Sequence, residues 1–166
     1  KKDGLAVATP ADAVKGAELV RQSVAIDPAN AKSQAILAWA CACNNDRDGA
    51  LRAGERGAML NPGDPAVLVN FALALAYDGR LDEAHRLFAQ ARRLEPLPPL
   101  WFGEFMGIAA FAEGRYADCL SGVELVPDAA WDMMYALSCY GHLGMREKAL
   151  EVFERIRRLG ADLDFE

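Results

Sequence analysis

Three prolines, each closing a helix-like segment, recur at one interval: Pro28, Pro62 and Pro96 stand 34 residues apart. A fixed period of this length marks an array of stacked helical units, in which each unit buries its apolar face only against its neighbours. Such an array works by presenting a surface, so the interval points to binding before any single residue is considered. Thr9-Pro10 and Asp64-Pro65 are cap-plus-proline starts, in which the side-chain oxygen takes up an orphan amide and proline presets the first turn. Helices are expected from Pro10 to Asp27, Asn30 to Cys43, Asp48 to Leu60, Pro65 to Tyr77 and Leu81 to Leu94. Four more should follow, from Leu100 to Ala112, Tyr116 to Leu125, Ala129 to Tyr140 and Arg146 to Leu159. No segment sustains the period-two alternation of a strand.

The turns repeat as well. Gly79-Arg80-Leu81-Asp82-Glu83-Ala84, Gly114-Arg115-Tyr116-Ala117-Asp118-Cys119 and Gly144-Met145-Arg146-Glu147-Lys148-Ala149 hold the same place in their units. Glycine lets the backbone leave the first helix of a pair, and the carboxylates cover the positive start of the second. The small residue five places on lets the paired helices approach closely.

These slots resemble the tetratricopeptide repeat family, whose pattern runs W-x2-L-G-x2-Y, A-x3-F and P. The third unit fits best, with Leu68, Phe71, Ala72, Leu75, Gly79, Ala84, Phe88 and Pro96. The second supplies Leu37, Ala38, Cys41, Ala50, Gly54 and Pro62. The fourth supplies Met106, Gly107, Ala110, Gly114, Cys119 and Val123, and the fifth Ala136, Leu137, Tyr140, Gly144, Ala149 and Phe153. The resemblance implies an all-α, right-handed α-solenoid of helix-turn-helix pairs, about nine helices in a single domain. Its units are a half unit at 10–28, then 31–64, 65–98, 100–129 and 130–160. The fourth unit is short, since Gly114 and Gly144 are 30 residues apart, and a change of curvature is expected there. Pro96-Leu97-Pro98-Pro99-Leu100-Trp101 is also similar to the C-terminal repeat region of some bacterial class III adenylate cyclases and related regulators, which implies an accessory region of a signalling protein.

In the repeat family the first helix of each pair lines the concave groove. Carried over by slot, the groove takes Lys32, Ala35 and Trp39 from the second unit and Val69, Asn70, Leu73 and Tyr77 from the third. The fourth gives Trp101, Glu104 and Ile108, and the fifth Trp131, Met134 and His142, with Tyr135 beside them. Most are apolar or aromatic, as in binding patches, so the implied partner is a peptide or protein held by apolar anchors. The bland alternative is that Trp39 and Tyr77 are covered by a neighbouring helix or tail. The carboxylate clamp of chaperone-binding members needs Lys, Asn and Arg where this chain has Ala35, Trp39, Asn70, Trp101 and Phe105. Only Asn70 matches.

The remaining chemistry is sparse. A net charge of −6 argues against nucleic acid. Arg92-Arg93 and the Arg155, Arg157, Arg158 group read as helix-end cations. No apolar run suits a membrane span, and no secretion signal is visible. Cys41 and Cys43 point about 200° apart on a helix, and with Cys119 and Cys139 they are expected as buried, reduced thiols of a cytoplasmic protein. His85 shares a face with Asp82, but two groups make an incomplete metal site. No phosphate loop or nucleophile elbow occurs, so no enzyme, cofactor or metal is expected. The last helix carries Val152, Phe153 and Ile156 with no polar cap, so either residues 160–165 fold over that face or a second copy covers it. Homo-oligomerisation is the alternative function.

Overall fold

The computed structural model describes residues 10–125 and 130–158. Among them are nine helices and no strand: α1 (Pro10–Ile26), α2 (Ala31–Cys43), α3 (Arg47–Leu60), α4 (Pro65–Tyr77), α5 (Leu81–Leu94), α6 (Leu100–Ala112), α7 (Tyr116–Val123), α8 (Ala130–His142) and α9 (Arg146–Arg158). They form a right-handed α-solenoid of tetratricopeptide-type helix pairs.

Local chemistry sets the helix starts. Asn30 accepts from the Ser33 amide at 3.0 Å, Asp46 from Gly49 at 2.9 Å and Asp64 from Ala66 at 2.9 Å, with Pro65 at the first helical position. The expected cap at Thr9 lies outside the described residues. Arg92 and Arg93 occupy the last turn of α5, and Arg155, Arg157 and Arg158 that of α9, where cations oppose the helix dipole.

The periodicity is plainest where the first helix of each pair ends. Gly79, Gly114 and Gly144 take φ of +80°, +73° and +69°, and Asn45 takes 58° at the same place in the preceding pair. Each is the left-handed residue of one repeated hydrogen-bonded turn. Asp46 N–H donates to Cys41, Arg80 to Leu75, Arg115 to Ala110 and Met145 to Tyr140, all at 2.9 Å. Asn45 fills the slot without a glycine because asparagine tolerates this conformation best among residues bearing a Cβ.

Within a pair, small residues bring the backbones together. A Cβ on Gly107 of α6 would stand 2.8 Å from the Cys119 carbonyl oxygen of α7. One on Gly122 would stand 2.3 Å from the Gly103 carbonyl oxygen. The core falls into three clusters along the array: Ala38, Cys41, Ala50, Ala53 and Ala74; then one that includes Leu68, Leu73, Phe88 and Ile108; then one that includes Cys119, Val123, Met133 and Ile156.

Two seams are loose. α5 and α6 scarcely touch across the Pro96–Pro99 joint, so α6 is held mainly by α4 and α7; α6 and α8 also meet only lightly, although α2 packs closely on α4. The second seam falls where the fourth unit is short. Val152 and Ile156 are buried in one cluster with residues of α7 and α8, while Phe153 is half-buried. The tail at 160–165 lies outside the described residues. Among the described residues no helix is long and apolar enough to cross a membrane.

Candidate functional site: the concave face

Helices α2, α4, α6 and α8 pack side by side as the inner layer, and side chains two units apart meet over the helix between them. Trp39 of α2 stacks on Phe105 of α6, with ring centroids 6.3 Å apart, across α4. The Tyr77 hydroxyl of α4 lies 3.0 Å from that of Tyr135 on α8, across α6. Such contacts form only on the concave side of a curved stack. Trp101 packs edge-on against Phe105 at 5.2 Å, and Trp131 against Tyr135 at 5.9 Å. Phe111, Tyr116 and His142 continue this aromatic strip, His142 stacking parallel on Tyr116 at 4.2 Å.

The expected groove residues divide by depth. Trp39 keeps 42% exposure, Tyr77 41% and Trp131 53%, so cross-groove contacts cover Trp39 and Tyr77 only in part. Trp101, Glu104 and Met134 are half-buried, while Lys32 and His142 are exposed. Ala35, Val69, Leu73 and Ile108 are buried and lie beneath the surface, where a ligand would not touch them. Asn70 is turned onto its own helix, its Nδ2 donating to the Ala66 carbonyl at 2.9 Å, and Lys32 lies 3.9 Å from Asp64.

Sequence reasoning missed Asp132. It sits in the first turn of α8, where an acid reads as an exposed helix-start residue. Instead it is only 1% exposed, and neither carboxylate oxygen has a hydrogen-bond donor. Burial, then the neighbouring Glu104, push its carboxyl up to about 7. Burial also raises Glu104. Desolvation and adjacent charge each favour the neutral acid, so the pair at the α6–α8 seam holds a proton more readily than ordinary carboxyls do. Glu104 also acts on Tyr77, and Asp132 on Tyr135. Burial is the main cause of the upward shift at both phenols.

Other titratable groups are occupied elsewhere. His85 pairs with Glu113 rather than with Asp82, and Arg115 bridges Glu113 and Asp118. Cys41, Cys119 and Cys139 are buried free thiols, with Cys119 and Cys139 in mutual contact. Cys43 is exposed, against expectation, because α2 turns that position outward. Among the described residues no group of three or more His, Cys, Asp or Glu gathers as metal ligands would.

No protein-family model matches the chain, and no curated protein does. Solved structures do. The chain is similar to the Podosopora anserina putative kinesin light chain with nearly identical TPR-like repeats, at 20% identity and a TM-score of 0.54, covering 94% of this chain and 90% of that one. It is similar to MamA of AMB-1 at 17% identity and a TM-score of 0.53, covering 93% and 86%. At these identities the likeness is one of fold. It does not bear on the resemblance to the cyclase-associated region.

Proposed function

We propose that this chain is a non-catalytic protein-interaction module, with units as delimited above acting as one domain, that holds a peptide or partner protein in its concave groove. One observation carries the reading. All four inner helices deliver aromatic side chains to one wall, and Trp39, Tyr77 and Trp131 remain substantially open to solvent there. Large rigid aromatics offer contact area at low entropic cost, and they are the residues that dominate protein recognition. The site residues of this reading are Trp39, Tyr77, Trp101, Glu104, Trp131, Met134 and His142, with Lys32 at one end. An adaptor or regulatory role follows.

Peptides selected from a random display library against the whole chain test it. Replacing Trp39 and Trp101 together by Ala should weaken the selected peptides by at least about 100-fold, as for two hot spots, while helical circular dichroism persists. Undiminished binding would count against the groove.

Self-association is the second reading, favoured by exposed Leu143, Met145 and Leu150 at the far end of the array. Light scattering that gives one monomer mass throughout the micromolar range would remove it.

A further inference from the structure

We propose that the groove between α6 and α8 receives one lysine or arginine side chain of the protein partner, its charge set against the Glu104–Asp132 carboxyl pair and its stem along Trp131 and Tyr135. This deepens the groove reading and rests on it. Glu104 is half-buried at the groove surface, and Asp132 lies beneath it with both oxygens unpartnered. A carboxyl group so placed is costly unless a donor reaches it, and here the charged neighbour that shifts it is another acid, Glu104.

A proton held by the pair removes only half of the problem. The pair then keeps one negative charge in a poorly solvated place, and one monovalent cation balances it. A divalent ion would want more ligating oxygens than two carboxyls supply. The surroundings suit an organic cation. Trp131 and Tyr135 pack edge-on at 5.9 Å beside the acids, with the Tyr77 hydroxyl bonded to Tyr135. Aromatic faces hold the alkyl stem of Lys or the guanidinium plane of Arg and attract its charge. Trp101 stands one turn before Glu104 on the same helix face.

The titratable groups around Asp132 are Glu104 on α6, Cys119 on α7 and Tyr135 on α8. Asp132 also lines a cavity toward α9, together with Glu124, Lys148, Glu151 and Arg155. Raising the pH through neutrality takes that proton from the Glu104–Asp132 pair, so affinity for the cation should rise between pH 6 and 8.

The test uses the whole chain and three capped pentapeptides, acetyl-Ala-Leu-X-Leu-Ala-amide, with X lysine, arginine or the uncharged isostere norleucine. Binding is read by tryptophan fluorescence. At pH 7.5 the lysine or arginine peptide should bind at least tenfold tighter than the norleucine peptide. Glu104→Gln with Asp132→Asn should erase that advantage, so that within the variant the lysine and arginine peptides bind no tighter than the norleucine peptide. Equal or tighter norleucine binding in the wild-type chain would overturn the cation site and leave the groove standing. Failure of all three peptides to bind would overturn both. Because the wild-type comparison decides by itself, a variant that failed to fold would not rescue the proposal.

Discussion

At Gly107 and Gly122 a single atom decides the fold. Neither position tolerates a Cβ without moving backbone across the α6–α7 crossing, so Gly122→Ala should destabilise the chain by about 1–3 kcal/mol. Gly107→Leu should cost more and unfold the fourth pair. Gly16, in the middle of α1, has no atom within 4 Å of its would-be Cβ, and Gly16→Ala should stabilise by about 0.5–1 kcal/mol. Chemical denaturation measures all three. Equal effects at Gly16 and Gly122 would show that the crossing is not close.

The buried acid makes a second residue-scale prediction. Asp132 titrates near 7 in the folded chain against an ordinary value of 3.8. The folded state therefore binds this proton more tightly than the unfolded state does. Its contribution is complete below about pH 4 and is lost as pH rises through 7, with a slope of at most about 1.4 kcal/mol per pH unit. Asp46, Asp78 and Glu83 are shifted downward by their hydrogen bonds, so their contributions change in the opposite sense at lower pH. Melting temperature should fall between pH 5 and 8, and Asp132→Asn should flatten that fall. A wild-type profile that rises across this range would contradict the buried pair.

Among the elements, α4 is clasped by α2, α3, α5 and α6, whereas α8 touches α6 only lightly and α9 has α8 as its main support. In a linear array, stability is a sum of unit and neighbour terms, so the least-supported units open first. Amide hydrogen exchange should show α8 and α9 opening well before α4, whose backbone should exchange only by global unfolding. Uniform protection would mean that the α6–α8 seam is as tight as the others.

The helices were legible in the sequence because their boundaries are chemical. Asp64-Pro65, Gly79, the Pro96–Pro99 segment and Gly114 act locally, and the observed ends of α4, α5 and α6 coincide with those expected. The last turn of α7 was not legible. The helix stops at Val123 instead of Leu125, a two-residue difference of the kind that fraying produces at helix ends. Site depth was not legible either. Slot assignment gives direction around a helix but not curvature, and curvature sinks Val69, Leu73 and Ile108 while joining Trp39 to Phe105 over α4. Asp132 escaped because its burial arises from a meeting of α6, α7 and α8 that no local pattern encodes.

For the molecule as a whole, the claim is that curvature gathers the aromatics of four helices into one wall, and that this wall meets the partner. Two-dimensional NMR of the labelled chain, titrated with a display-selected peptide, tests it most directly. The account predicts that amide shifts change along α2, α4, α6 and α8, centred on Trp39, Tyr77, Trp101 and Trp131, with the outer faces of α3, α5 and α7 silent. Shifts confined to the outer helices, or to the α9 end alone, would contradict it.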